Sequence, residues 1–78
     1  MAAELYRVAV AGASGRMGHM LIEAIHAAPD CQLAGALDVA ASAAIGQDAA
    51  AFLGHSSGVA VTSDLKAGLK DAQVLIDF

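Results

Sequence analysis

The feature that most constrains this chain is a run of three glycines at three-residue intervals, Gly12, Gly15 and Gly18, in the stretch Val8-Ala9-Val10-Ala11-Gly12-Ala13-Ser14-Gly15-Arg16-Met17-Gly18. Before the first glycine, Tyr6 to Ala11 is short and rich in β-branched residues, the pattern of a buried strand. From Arg16 the period becomes helical: Met17, Met20, Leu21, Ala24, Ile25 and Ala28 fall on one face at three- and four-residue spacing. Pro29 ends that helix, because proline cannot continue the hydrogen-bond ladder. A strand, a glycine turn and a helix in this order assign a task to each glycine. Gly12 permits the tight turn, Gly15 removes a β-carbon where a phosphate would approach the backbone, and Gly18 lets the helix pack closely on the strand. The free N–H groups at the helix start, together with the helix dipole, favour a pyrophosphate.

The next apolar run, Cys31 to Asp38, reads as a second strand that terminates in an acid. Two strands joined by a helix are expected to be parallel, with a right-handed crossover. Asp38 lies 20 residues after Gly18, where an acid can accept hydrogen bonds from adenosine ribose hydroxyls. The spacing departs from the usual Gly-x-Gly-x-x-Gly, since Ser14 stands where the second glycine is expected. Val39 to Gly58 carries no clear period and reads as a surface excursion rather than a core element, with a short helix at Asp48 to Leu53. Val59 to Thr62 reads as a third strand, Ser63 as the cap of a helix running to Leu69 or Lys70, and Val74 to Phe78 as a fourth strand. The expected class is therefore α/β: an open, Rossmann-type parallel sheet, incomplete at about four strands, in the order 3-2-1-4.

Composition narrows the function. Four Lys and Arg against eight Asp and Glu give a net charge of −4, so the chain lacks the basic footprint of a nucleic-acid binder. Hydrophobic residues make up 58% and charged residues 15%, too apolar for disorder. No apolar run approaches the roughly 18–20 residues of a membrane span, and the start shows no signal peptide. One cysteine, Cys31, excludes an internal disulfide and suits a reducing cytoplasm. Twenty of the residues are alanine, and a chain of this size buries a limited share of its surface. With an apolar strand-like ending, it reads as the opening piece of a longer protein.

The remaining candidates are weaker. His19 and His26 lie seven residues apart on one helix but have no third ligand, so they read as solvent-exposed side chains and no metal site is assigned. His55 has no evident partner. Cys31 has no adjacent base and reads as structural. Asp77, at the end of the fourth strand, either fixes a loop or touches a ligand. No nucleophile–base pair is visible, and no catalytic residue is assigned. For a dinucleotide, Asp38 repels a 2′-phosphate and Val39 offers it no cation, which leaves Arg16 as the nearby positive candidate. NADH is therefore expected to bind at least as well as NADPH.

The stretch from Val8 to Gly18, with Gln32 to Asp38, Ile45 to Ala49 and Val74 to Phe78, resembles the N-terminus of the bacterial dihydrodipicolinate reductase family across essentially the whole chain. The Gly15-Arg16-Met17-Gly18 tetrapeptide and the closing Ile76-Asp77-Phe78 are its most specific pieces. The resemblance implies a cytoplasmic oxidoreductase of diaminopimelate and lysine biosynthesis, in which NADH or NADPH delivers hydride to a cyclic dicarboxylate. It places Gly12, Ala13, Ser14, Gly15, Arg16 and Met17 at the pyrophosphate and Asp38 at the adenosine ribose. Many members carry Glu at the position of Asp38, and several carry Arg at the position of Val39, where it helps to hold the 2′-phosphate of NADP. It also implies that residues 1–78 are a partial N-terminal dinucleotide-binding domain. The substrate domain, with its catalytic acid and the contacts of a homotetramer, falls outside this chain. Two other readings remain at this level: a non-enzymatic NAD-binding redox sensor, and another dehydrogenase such as one acting on an amino acid.

Overall fold

A computed structural model describes residues 6–77. A six-residue strand, β1 (Tyr6–Ala11), leads through the glycine turn into helix α1 (Arg16–Ala27), and the chain returns as β2 (Cys31–Leu37). A single 3-10 turn (Ala51–Leu53) interrupts the excursion that follows. The short strand β3 (Val61–Thr62), helix α2 (Leu65–Leu69) and strand β4 (Val74–Ile76) complete the order. The four strands form one sheet in the order β3-β2-β1-β4, and every pairing between them is parallel. This is the Rossmann-type arrangement anticipated from the alternation of elements.

Strand alternation distributes the core between the two faces of the sheet. Val8, Val10 and Ala36 join Ile22 and Ile25 of α1 in one buried cluster. Ile22 is the largest fully buried side chain, and burial of a side chain of that size contributes roughly 1.5–3 kcal/mol. The opposite face is built on closeness instead of bulk. A β-carbon at Gly35 would lie 1.8 Å from the carbonyl oxygen of Gly68, and one at Gly68 would lie 2.4 Å from Leu37 Cδ2. Helix α2 therefore rests directly on β2 through two glycines. The pairing of β1 with β2 shifts by one residue between Val8 and Ala9, where Ala34 is left without a partner.

Several boundaries and faces differ from the periodic reading. Met17 and Met20 are exposed, and the buried face of α1 is Gly18, Ile22 and Ile25. Gly18 moves the packing stripe because close contact with the turn needs a residue without a β-carbon, and Met17 and Met20, one and two positions away, then fall outside the buried stripe of Gly18, Ile22 and Ile25. The second strand stops at Leu37, the third is confined to Val61–Thr62, and the fourth spans Val74–Ile76; Phe78 lies outside the described residues. Helix α2 is capped by Asp64, whose side chain accepts from the Lys66 N–H at 3.0 Å, and not by Ser63. The Asp64 carboxylate sits one residue closer to the N–H groups left free in the first turn.

The excursion is also more than surface. Ala49 is buried in the α1-side core, with Ala44 and Ile45 packed against it, and Ala50 is buried as well. Residues 46–49 run antiparallel to β3: Gly46 N–H donates to Val61 O, Val61 N–H to Gln47 O, and Ala49 N–H to Val59 O. The outer edge of β3 is thereby covered, which suppresses unwanted strand pairing.

Candidate functional site

The glycine turn is built by the backbone. Gly12 has φ +71°, a conformation that favours glycine. The Ala13 N–H donates to Leu37 O at 3.0 Å, which ties the turn to the end of β2, and the Gly15 N–H donates back to Gly12 O at 3.0 Å. Helix α1 begins with Gly15 in extended conformation, and no side chain among the described residues caps it. Its first helical bond runs from His19 N–H to Gly15 O, so the N–H groups of Arg16, Met17 and Gly18 have no helical acceptor. A twelve-residue helix thus presents its positive end, free of a protein cap, at the C-terminal edge of β1.

The second and third glycines differ in what they do for the fold. A β-carbon at Gly18 would lie 2.0 Å from Gly12 O and 2.8 Å from Ala13 Cα, so Gly18 packs against the turn itself more tightly than against the strand. A β-carbon at Gly15 would meet one atom, Gly12 O, at 3.4 Å. The fold therefore has room for a β-carbon at Gly15, in contrast to Gly18.

Asp38 follows β2 and turns its carboxylate onto the glycine turn. Oδ2 accepts from the Ser14 N–H at 2.8 Å and from the Ser14 hydroxyl, and Oδ1 accepts from the Val39 N–H at 2.8 Å. The Ser14 hydroxyl, then its backbone N–H, hold this carboxyl below the usual carboxylate range; modest desolvation opposes them, and the Val39 N–H adds to the lowering. The two halves of the predicted site, separated by 24 residues in the chain, therefore form one hydrogen-bonded unit.

A hollow of about 350 Å³ opens beside this unit, lined by Gly12, Asp38, Val39, Ser63, Leu65 and Asp77 among others. It lies at the C-terminal ends of the strands and includes the point where strand order reverses between β1 and β4, the usual ligand position in open α/β sheets. Asp77 lines this hollow, while Arg16 and Met17 stand exposed at the start of α1. A larger recess of about 590 Å³ lies on the other flank of the turn, between α1 and the excursion. It shares Ala13 and Ser14 with the site but includes neither Gly12 nor Asp38.

The histidines do something the spacing did not suggest. His19 is half-buried and stacks on Phe52 with ring centroids 3.8 Å apart and planes 5° apart. His26 stacks on His55 at 4.5 Å and 27°. Both contacts fasten the excursion to α1, and among the described residues no group of three or more His, Cys, Asp or Glu is placed to hold a metal ion. Cys31 is half-buried, and burial and then the charge of Asp30 push its thiol up, which disfavours a reactive thiolate. No helix among the described residues is long and apolar enough to cross a membrane.

Asp48 is the important residue that the periodic reading missed. Its carboxylate accepts from the N–H groups of Ala50, Ser57 and Gly58 and from the Ser57 hydroxyl at 2.8–3.0 Å. The Ser57 and Ala50 N–H groups, followed by the Ser57 hydroxyl, hold it far below the usual carboxylate range. The contact to Ala50 has a local signal, an Asp two residues before a turn N–H. The contacts to Ser57 and Gly58 depend on how the loop closes and have none.

A family model described as "Dihydrodipicolinate reductase, N-terminus" matches residues 6–78. The 4-hydroxy-tetrahydrodipicolinate reductase of Herminiimonas arsenicoxydans is 68% identical over 72 residues, covering 92% of this chain and 27% of that protein. The proteins of the same name from Janthinobacterium sp. (strain Marseille) and Burkholderia mallei (strain SAVP1) are 62% and 60% identical over the same shares. The chain thus spans 27% of the length of these curated relatives.

Proposed function

The chain belongs to the dihydrodipicolinate reductase N-terminal family, and from that premise we propose that residues 1–78 are the dinucleotide-binding part of a 4-hydroxy-tetrahydrodipicolinate reductase. The observation that carries this reading is the single unit formed by the glycine turn, the uncapped start of α1 and Asp38. The turn from Gly12 to Met17 holds the pyrophosphate: the N–H groups of Arg16 and Met17, which have no helical acceptor, donate to it, the helix dipole opposes its charge, and the absence of a β-carbon at Gly15 leaves it space. Asp38, ionised under its three N–H and O–H donors, accepts from the adenosine ribose. Val39 supplies no cation for a 2′-phosphate, and Arg16 is the positive side chain at the helix start.

When bound, NADH or NADPH supplies the hydride, and the protein supplies orientation. In the full-length protein that hydride, together with a proton and with loss of the 4-hydroxyl as water, converts a cyclic dicarboxylate, 4-hydroxy-tetrahydrodipicolinate, to tetrahydrodipicolinate on the route to diaminopimelate and lysine. The substrate contacts, the proton donor and the interfaces of a homotetramer belong to sequence outside these residues, and the compartment is the cytoplasm.

The test is a titration of the full-length protein with NADH and with NADPH, followed by an assay of nucleotide oxidation on addition of 4-hydroxy-tetrahydrodipicolinate. The expected result is saturable binding of both, NADH at least as tight, and oxidation that depends on the dicarboxylate. Failure to bind either nucleotide overturns the reading. NADPH binding more than about tenfold tighter, about 1.4 kcal/mol, overturns the preference.

A further inference from the structure

We propose that Ser14 is a specificity-determining positioning residue, which holds the Asp38 carboxylate against the glycine turn so that it accepts one ribose hydroxyl and turns away a 2′-phosphate. The inference rests on the dinucleotide reading above and assigns Ser14 a role that acts through Asp38.

Donor and acceptor capacities give the hydrogen bonds a direction. A carboxylate only accepts, so the one proton of the Ser14 hydroxyl goes to Asp38 Oδ2. The Ser42 hydroxyl lies 3.0 Å from the Ser14 hydroxyl. With the Ser14 proton committed, Ser42 must be the donor there, and Ser42 in turn accepts from the Ala44 N–H at 3.2 Å. The result is a one-way relay, Ala44 N–H to Ser42 to Ser14 to Asp38, that joins the excursion to the ribose acid. Chains of this kind polarise and strengthen their members.

The relay also limits what Asp38 can still do. A carboxylate offers about four acceptor positions. The Ser14 N–H and hydroxyl take both on Oδ2, and the Val39 N–H takes one on Oδ1. One position remains, on Oδ1, which suits a single hydroxyl donor. A phosphate brings acceptors to a fixed negative charge, and Asp38 cannot swing aside without giving up two donors. A glycine at position 14 would keep the N–H and lose the hydroxyl link, so the departure from Gly-x-Gly-x-x-Gly at this position has a physical consequence.

The titratable groups lining the hollows on either side of the pair are Asp77 from the end of β4, His19 from α1 and Asp48 from the excursion. Only changes that run through Asp38 bear on the proposal, and a double-mutant cycle isolates them. Dissociation constants for NADH and NADPH are measured on the full-length protein as wild type, Ser14→Ala, Asp38→Ala and the double variant. Ser14→Ala is expected to raise the NADH constant about fivefold relative to the NADPH constant. It is also expected to move the acid limb of NADH binding to higher pH, because Asp38 loses its strongest donor. In the Asp38→Ala background, Ser14→Ala should leave the NADH-to-NADPH ratio unchanged. Equal weakening of both nucleotides, or the same effect without Asp38, overturns the proposal while leaving the dinucleotide site in place. Wild type that binds neither nucleotide overturns the underlying reading. If Ser14→Ala does not fold, Ser42→Ala carries the test: a smaller shift of the NADH-to-NADPH ratio in the same direction supports the relay, and an unchanged ratio overturns it.

Discussion

Residues 6–38 and residues 39–58 are ordered by different means, although they touch across the same helix. The first region is a ladder. β1 and β2 pair throughout except at Ala34, α1 packs Ile22 and Ile25 on them, and the turn between is closed by backbone bonds and by the missing side chain of Gly18. The second region has one three-residue 3-10 turn, and a single carboxylate, that of Asp48, gathers its chain. Two ring stacks and the buried Ala49 and Ala50 fasten it to α1 and the sheet. Periodic burial produces order that many residues share, whereas a carboxylate knot concentrates order in one.

The largest expected effect comes from breaking the ladder at its tightest point. Gly18→Ala places a carbon 2.0 Å from the carbonyl oxygen of Gly12, where both partners are backbone and neither can rotate away. A loss of about 3 kcal/mol or more in unfolding free energy is expected from denaturant titration. A loss under about 0.5 kcal/mol would show that the turn and helix are not held in this close contact.

Asp48→Ala should have the opposite character. The N–H groups of Ala50, Ser57 and Gly58 lose their acceptor, so their amide exchange should accelerate while β1 and β2 amides keep their protection. Uniform acceleration would mean that the two regions unfold as one. The same carboxylate sets a pH signature. Its folded pKa is depressed, so its stabilisation is fully present above the ordinary carboxylate pKa of about 4 and is lost as pH falls toward the folded value. Acid should therefore loosen residues 39–58, seen as amide exchange, only below that point.

Asp38→Ala sharpens the comparison at the seam between the regions. NADH binding should weaken by roughly 1.5–3 kcal/mol, the worth of hydrogen bonds to a charged acceptor, and an unchanged dissociation constant would remove Asp38 from the site. The smallest effect separates two neighbours beyond the excursion. Asp64→Ala should cost about 1 kcal/mol through loss of the α2 cap, and Ser63→Ala less than about 0.5 kcal/mol; a reversed order would restore Ser63 as the cap.

This contrast explains what could be read in advance. Tyr6–Ala11, the start of α1 at Arg16, the sheet order and the place of Asp38 at the end of the second strand's run all follow from local pattern, because strand, turn and helix each impose a period or a required residue. The exposure of Met17 and Met20 did not follow, since a glycine that must face the turn rotates the stripe away from the bulkier side chains. The Asp48 knot, the His19–Phe52 stack and the Gly35–Gly68 contact join residues far apart in sequence with no repeating pattern between them. The Ser14–Asp38 bond is intermediate: both residues were visible as site candidates, but their direct link needed the geometry of the turn.

The central claim, that the glycine turn cradles a dinucleotide, is tested most directly by titrating full-length wild type and Gly15→Val with NADH while measuring the unfolding midpoint of each. Gly15 has φ −81° and ψ 173°, open to any side chain, and its β-carbon position meets one atom at 3.4 Å. The account predicts saturable binding to the wild type, none to Gly15→Val, and closely similar midpoints. Undiminished NADH affinity in a folded Gly15→Val protein would contradict it.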